Sequence, residues 1–251
     1  MSVTLALGCA APSTDVNPSN AARRSGFEDM GASTQAMQRD DSGNPAMLWV
    51  REGEQLWARS SPDARACSSC HGELKSMRGV AGRYPAYDAH SHRPVNLATR
   101  VNLCRERHQQ QRPWAAESNE LLSLEAAIAM QSRGLPITPS RDRRLVPYRE
   151  RGAALFSQRI GQLNLSCAQC HDERAGLRLA GSVIPQGHAT GYPIYRLEWQ
   201  ALGSLSRRLR GCMTGVRAEP LAHGSVEMVE LELHLMSRAA GMAYEAPAVR
   251  P

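Results

Sequence analysis

Two five-residue stretches of the chain repeat one arrangement of two cysteines and a histidine, CSSCH at 67–71 and CAQCH at 167–171. Cys-x-x-Cys-His is the attachment motif of c-type haem, in which two thiols bond one porphyrin and the adjoining histidine faces the iron. A lone Cys-x-x-Cys would also suit a redox dithiol or half of a zinc site, but a histidine in both copies argues against these. The sequence therefore predicts two covalent haems and assembly outside the cytoplasm. The predicted attachment residues are Cys67, Cys70, Cys167 and Cys170, and the predicted iron ligands are His71 and His171.

Each iron needs a further axial ligand or keeps an open position, and the usual ligands are Met or His, with Cys thiolate rarer. One cysteine follows each motif: Cys104 lies 33 residues after His71, and Cys212 lies 41 residues after His171. A single spare cysteine is typical of a small buried side chain, but two at corresponding places favour thiolate ligation of both irons. Such ligands would lower the reduction potential and argue against oxygen or peroxide chemistry. A Cys104–Cys212 disulfide is the alternative, and an oxidising compartment would allow it.

Four arginines lie within five residues of Cys212 on either side: Arg207, Arg208, Arg210 and Arg217. Lys75 is the only lysine of the chain, so a general preference for Arg over Lys explains most of its arginines, and only local clusters are informative. Cations favour the thiolate form of a cysteine, and the planar guanidinium group holds oxyanions. The cluster predicts an anion beside a sulfur atom next to a haem.

The surroundings of the two haem motifs also repeat. REGEQLW at 51–57 matches ERGAALF at 150–156 with an offset of 99, and LEAAIAMQSR at 124–133 matches VELELHLMSR at 229–238 with an offset of 105. Their apolar spacing predicts amphipathic helices, with entry helices near 46–58 and 148–158. The predicted fold is mainly α, with two tandem cytochrome c-like modules related by internal duplication, each carrying one covalent haem.

The expected organisation has three parts: a leader at 1–43, an N-terminal module at 44–140 and a C-terminal module at 141–251. Gly and Pro in the segment 134–147 are typical of a linker. The apolar start MSVTLALGCAAPSTD is similar to the end of an export signal but lacks a basic beginning. Cys9 therefore belongs to a clipped signal or to a lipoprotein cleavage site.

Composition excludes several classes of protein. Among 251 residues, no apolar run approaches the length of a transmembrane helix, so we expect no membrane span. The formal net charge is +6, but basic stripes interleaved with aromatic residues are absent, which argues against nucleic-acid binding. Aromatic residues make up only 5% of the chain, so a buried cofactor is expected to complete the core.

Seven stretches together resemble the SoxA family, the dihaem c-type subunits of the SoxAX cytochromes of bacterial sulfur oxidation. The resemblance runs from about residue 23 to the C-terminus, and its last three stretches are specific to the family. The stretches are RRSGFEDM, NPAMLWVREGEQLW, CSSCHG, RPVNLATRVNLCRERH, GQLNLSCAQCHDE, QGHATGYPIYRLEWQALGSL and CMTGVRAEP.

The resemblance implies a periplasmic enzyme that forms a heterodimer with SoxX, a small monohaem cytochrome c. It implies that thiosulfate is joined oxidatively to a cysteine of the carrier SoxYZ, with electrons passing to a small cytochrome c. Cys212 would then be the catalytic iron ligand, carried as a persulfide, and Arg208 the active-site arginine, with Arg217 and Arg207 as further candidates for substrate binding. His71 and Cys104 would hold the first haem.

Three other functions compete with this one. A dihaem electron carrier without its own substrate would explain both haem motifs, although not a cysteine surrounded by arginines. A thiosulfate dehydrogenase that forms tetrathionate also has two haems and a cysteine ligand, but it would not carry YRLEWQALGSL or GVRAEP in this arrangement. A dihaem peroxidase would need one open iron, and the two matched cysteines argue against that.

Overall fold

The computed structural model describes residues 23–60 and 64–251, and the chain is mainly helical, as the sequence predicts. The helices are α1 Ala32–Arg39, α2 Met47–Ala58, α3 Ser68–His71, α4 Leu97–Gln109, α5 Asn119–Met130, α6 Val146–Ser157, α7 Cys167–His171, α8 Leu205–Gly215 and α9 Val226–Arg238. Short 3-10 helices lie at Leu74–Met77, Ala81–Arg83 and Arg143–Leu145. Among the described residues, no helix has the length and apolar composition needed to cross a bilayer.

Within residues 23–60 and 64–251, seven short strands form three small sheets. Strands β1 (Ala86–Asp88) and β2 (Arg93–Val95) pair antiparallel, as do β3 (Arg178–Leu179) and β4 (Ser182–Val183). In the third sheet, β5 (Ile194–Arg196) lies between antiparallel β6 (Ala201–Gly203) and parallel β7 (Ala248–Arg250). The pair β1–β2 precedes α4, and the pair β5–β6 precedes α8 at an offset of 108 residues, so the duplication extends to the strands.

A glycine in each entry helix allows it to touch the closing helix of its module. A Cβ atom on Gly53 of α2 would lie 2.0 Å from the Ser123 carbonyl oxygen of α5, and one on Gly152 of α6 would lie 2.0 Å from that of Glu230 in α9. No side chain fits at such distances, so only glycine allows the two backbones to approach this closely. This close approach explains the glycine that both modules share at an offset of 99.

The closing helices correspond at an offset of 107, not at the 105 that their matching letters indicate. Ser118 caps the start of α5 and Ser225 caps the start of α9, each accepting a hydrogen bond from the backbone N–H three residues later. Beyond their ends, Gly134 and Gly241 adopt positive φ values of 79° and 82°. Caps and glycines fix the positions of helix ends, whereas the shared Glu, Ser and Arg letters lie two residues out of this register.

The segment 134–147 is not a free linker, contrary to the expectation. Gly134 donates a hydrogen bond to the Tyr244 carbonyl, and Gly241 donates one to the Ile137 carbonyl, both at 2.8 Å. Ile137 is 1% exposed and Leu145 is fully buried. The segment therefore forms part of the contact between the modules, because its apolar side chains are buried although its Gly and Pro content is typical of a loop.

The leader predicted at 1–43 differs from the structure over residues 23–43, while Cys9 lies outside the described residues. Arg23 donates a hydrogen bond to the Ala240 carbonyl at 2.8 Å, and the Arg24 N–H donates to Gln186 at 2.7 Å. Helix α1 packs beside β7, where the Val249 N–H donates to the Gln38 side chain at 3.1 Å. From residue 23 onward the chain therefore packs against the C-terminal module, through polar contacts that its composition does not indicate.

Candidate active site

The first haem motif opens on a cavity of about 1020 Å³, a volume large enough for a cofactor. Cys67, Cys70 and His71 line one wall, and Cys104 of α4 lines another. The remaining lining includes the apolar residues Leu56, Trp57, Leu97, Val101, Leu124 and Ile128. A thiol pair, a histidine and a further cysteine around an apolar space match the chemistry of a covalent haem with two axial ligands, so these residues fit the predicted group.

The structure places Cys104 and Cys212 at equivalent positions of equivalent helices. Asn96 caps the start of α4 by accepting a hydrogen bond from the Thr99 N–H, and Ser204 caps α8 in the same way. Each cysteine lies eight residues after its cap. Because caps fix where helices begin, the two thiols face their haem motifs at the same point of the two modules.

Each thiol stands beside the motif of its own module, and the disulfide alternative is not formed. Among the described residues the cysteines are all free. Electrostatic repulsion from Cys70 contributes to raising the pKa of Cys104, after burial as the main cause, and Cys212 acts on the pKa of Cys167 in the same way. Iron coordination deprotonates such a thiol outright, so burial does not prevent thiolate ligation.

His171 is held in the orientation that an iron ligand needs. Its Nδ1 lies 2.7 Å from the Pro185 carbonyl oxygen, so Nδ1–H donates and Nε2 is left for the metal. Burial lowers the pKa of His171, which favours the neutral imidazole that binds iron. Pro185 follows the hairpin β3–β4, so this hairpin, an addition to the second module, positions the ligand.

Arg208 shares a helix face with Cys212. The two residues are four apart on α8, so their side chains lie one turn above each other. Arg208 is about one-third exposed, and its Nη1 lies 4.0 Å from Oε1 of Glu198. The arginine that the sequence singles out is therefore placed beside the sulfur, close to water and to one carboxylate.

The other predicted arginines are placed differently. The guanidinium of Arg207 lies over the Trp199 ring, 4.3 Å from its centroid, and Arg210 donates a hydrogen bond to the Leu221 carbonyl. Arg217 follows the end of α8 in a left-handed conformation and is exposed. Within the cluster, Arg208 therefore best fits an anion site, because it lies one helical turn before Cys212 and its guanidinium group lies near a carboxylate.

Comparison with known proteins agrees with this arrangement. The family model described as SoxA/TsdA, cytochrome c domain, matches residues 52–137 and 151–244. The L-cysteine S-thiosulfotransferase subunit SoxA of Pseudaminobacter salicylatoxidans is 34% identical over 87% of this chain and 78% of its own. The chain belongs to the SoxA family. The SoxA subunit of Paracoccus pantotrophus is 33% identical over 90% of this chain and 78% of its own.

A solved structure shows the same fold. The crystal structure of SoxXA from P. pantotrophus superposes with a TM-score of 0.87 at 32% identity, and the match covers 91% of this chain and 87% of that one. The two segments matched by the family model each run from an entry helix past a closing helix. The predicted resemblance, the mainly helical fold and the tandem cytochrome c modules are therefore confirmed.

Two residues near Arg208 were not predicted from the sequence of this SoxA family member. Tyr192 is partly buried, and the burial of its hydroxyl raises its pKa; Arg208 and Cys212 are both near enough to act on that hydroxyl electrostatically. Arg196, at the end of β5, donates a hydrogen bond from Nε to Oε1 of Glu198 at 2.7 Å. Both lie in the family-specific stretch YPIYRLEW, and aligning the modules at an offset of 108 would have shown that Arg196 stands where the first module has Asp88.

In the first module a carboxylate neutralises Arg100, the counterpart of Arg208. Arg100, four residues before Cys104, lies 3.0 Å from Asp88, and Arg107 lies 2.9 Å from the other oxygen of that carboxylate. The hydrogen bonds that Arg107 donates hold the pKa of Asp88 far below its usual range, so the carboxylate is always charged. In the first module the arginine therefore already has a buried anion as its partner.

Proposed function

We propose that this SoxA family member is the dihaem subunit of a periplasmic heterodimer with SoxX, and that it joins thiosulfate oxidatively to the carrier cysteine of SoxYZ. The observation that carries the proposal is Arg208 one helical turn before Cys212, beside the second haem motif. Family membership supports the reaction, and the SoxXA complex of P. pantotrophus supports the partner.

Each residue of the two haem motifs has a role in this proposal. Haem bound at these motifs would supply an iron that changes oxidation state by one electron. Cys67, Cys70, Cys167 and Cys170 would attach two haems, and His71, Cys104, His171 and Cys212 would ligate their irons. Since a thiolate ligand lowers the reduction potential, both irons would favour the ferric state.

The coupling reaction forms one sulfur–sulfur bond. The carrier thiol and thiosulfate give a cysteine S-thiosulfonate. The thiol proton is released to water, and the two electrons are accepted by small cytochrome c. Arg208 holds the sulfonate by charge-assisted hydrogen bonds, which directs the outer sulfur of thiosulfate toward the Cys212 sulfur. Arg217 is exposed after the end of α8 and Arg207 lies over Trp199, so both are secondary candidates for guiding the anion.

An assay with and without the partners separates the candidate functions. The purified protein should form the S-thiosulfonate adduct on SoxYZ only when SoxX and an electron acceptor are present. Tetrathionate formed without a carrier would instead show a thiosulfate dehydrogenase. Haem reduction and reoxidation without any sulfur product would show an electron carrier.

Mass spectrometry of the exported protein tests the cofactors and the modified ligand. The intact mass should contain two haem additions, one on each motif, and the peptide around Cys212 should carry one extra sulfur. One haem addition, or none, would overturn the dihaem assignment. An unmodified Cys212 in active protein would remove the persulfide from the mechanism.

A further inference from the structure

We propose that Arg196 is a second thiosulfate-binding residue, which holds the sulfonate together with Arg208 at the position now taken by the Glu198 carboxylate. This inference rests on the proposed function, because it names how the same site recognises its anion. It adds to the site a residue on a strand, where the sequence indicated only residues of one helix and its end.

A single carboxylate oxygen marks where an anion fits. Oε1 of Glu198 lies 2.7 Å from Nε of Arg196 and 4.0 Å from Nη1 of Arg208. Two guanidinium groups from different elements therefore converge on one oxygen. A sulfonate presents three oxygens with spread negative charge, so it can accept hydrogen bonds from both groups at once.

The exposure of these side chains shows which of them can move. The side chain of Arg196 is 13% exposed, whereas that of Glu198 is 51% exposed. Arg196 ends β5, where it pairs with Ala201 of β6 and Arg250 of β7. The nearly buried cation is fixed and needs an anion, while the carboxylate can turn into water when a substrate anion arrives.

The first module carries the opposite charge at the strand position equivalent to Arg196. Asp88 occupies the strand position equivalent to Arg196, since β1–β2 and β5–β6 share the same register. The Asp88 side chain is 4% exposed and is bound by Arg100 and Arg107. Because Asp88 is buried in the strand, its carboxylate cannot turn into water and give up its place beside Arg100 to a substrate anion. In the second module the equivalent position carries Arg196. The carboxylate that contacts it belongs to Glu198, which lies two residues later in an exposed turn.

The first test replaces Arg196 and measures binding and turnover separately. The complex with SoxX is assayed with SoxYZ and an electron acceptor, and binding of radiolabelled thiosulfate is measured by equilibrium dialysis without the carrier. Arg196→Gln should raise KM and the dissociation constant for thiosulfate about 10- to 100-fold, since it loses a hydrogen bond to a charged group, with kcat changed less than threefold. Arg196→Lys, which keeps the charge without the planar fork, should fall between. Arg51→Gln, an exposed arginine of α2, is the charge-matched control and should leave both constants unchanged.

Glu198→Gln provides the opposite change at the same place. If the carboxylate competes with the sulfonate, its removal should lower KM for thiosulfate several-fold, an effect that a structural role would not produce. An unchanged KM in both Arg196→Gln and Glu198→Gln, while Arg208→Ala raises it, would overturn the role of Arg196 and leave the proposed function intact. A loss of kcat in Arg196→Gln with unchanged thiosulfate binding would also overturn it. Wild-type protein that forms no adduct on SoxYZ would instead refute the proposed function itself.

Discussion

The two modules share a strand pair and a capped helix that carries an arginine and a cysteine, yet we propose an anion site only in the second. Both place an arginine four residues before a cysteine on a capped helix, and both place a tyrosine nearby, Tyr84 or Tyr192. One difference lies at a strand position, where the first module has Asp88 and the second has Arg196. The comparison teaches that, on the proposed function, the position of one carboxylate separates the module with a substrate site from the module without one.

The second haem motif is also supported more firmly than the first. Ser166 and Gln169 form a reciprocal capping box at the start of α7, whereas no side chain caps α3. The hairpin β3–β4 leads to Pro185, whose carbonyl fixes the His171 ring. Fixed ligands favour a fixed reaction geometry, which agrees with a site of chemistry in the second module.

The largest effect is expected when each candidate iron ligand, Cys212 or Cys104, is replaced by methionine, which tests whether the two modules differ in function. Cys212→Met should lower thiosulfate coupling at least 100-fold, because the thiolate beside Arg208 is replaced by a thioether, which cannot carry a persulfide. In Cys104→Met the main effect should be on the haem spectrum and potential, with a loss of coupling at least tenfold smaller. Initial rates with SoxYZ and spectra of the purified complexes would measure both. Equal losses in the two variants would show that the modules do not differ in this role.

The helix crossings should be equally sensitive in both modules. Gly53→Ala and Gly152→Ala each place a methyl carbon 2.0 Å from a carbonyl oxygen, which is a severe steric clash. Each substitution should therefore destabilise the fold by about 3 kcal/mol. Urea unfolding of the exported protein would give the values. Gly211→Ala, where a Cβ atom meets open space, is the control. A large loss in only one of the two crossing variants would contradict the equivalence of the crossings.

The two arginines should separate substrate binding from stability. Arg208→Ala should raise KM for thiosulfate about 10- to 100-fold with a nearly unchanged haem spectrum, because a charge-assisted contact is lost. Arg100→Ala should leave that KM within twofold and lower the free energy of unfolding by about 1–3 kcal/mol, since it removes a partner of buried Asp88. Steady-state rates at low thiosulfate and denaturant titration would distinguish the two. An unaffected KM in Arg208→Ala would remove this arginine from substrate binding.

The smallest expected effect concerns a pair of carboxyl groups at equivalent positions, Glu125 of α5 and Glu232 of α9. Both line a cavity of about 220 Å³ between the modules, near Glu117 and His223, and burial raises the pKa of both. The folded protein therefore keeps protons that the unfolded chain releases above its ordinary Glu pKa of about 4.3. Its stability should fall as the pH rises from there through neutrality.

Glu125→Gln should reduce that slope, with stability close to wild type at pH 5 and higher by roughly 1–2 kcal/mol at pH 8. Thermal unfolding at several pH values would measure it. Glu120→Gln, an exposed neighbour on α5, is the control. A slope unchanged by Glu125→Gln would show that this carboxyl group is already ionised in the folded protein.

Much of the haem architecture could be predicted because its chemistry is local in sequence. The motifs at 67–71 and 167–171 and the entry helices, found at Met47–Ala58 and Val146–Ser157, follow from spacing within a few residues. The roles of Cys212, Arg208 and the other predicted ligands remain predictions, although the structure places these two on one helix face.

The parts that could not be predicted depend on contacts between distant segments. The strands have two or three residues each, too few for a periodic pattern to appear. The register of the closing helices follows caps and backbone contacts rather than shared letters. Arg196 was missed because its importance comes from the replacement of Asp88, which only the alignment of the strands reveals.

The contact between the modules also bears on their origin. Pro136 pairs with Ala243 in an antiparallel bridge, and these two residues are equivalent at the offset of 107. In an interface with two-fold symmetry contacts occur in reciprocal pairs, and residues on the axis contact their own counterparts. A one-module ancestor that associated as a symmetric pair of identical chains would have presented this contact before the gene was doubled.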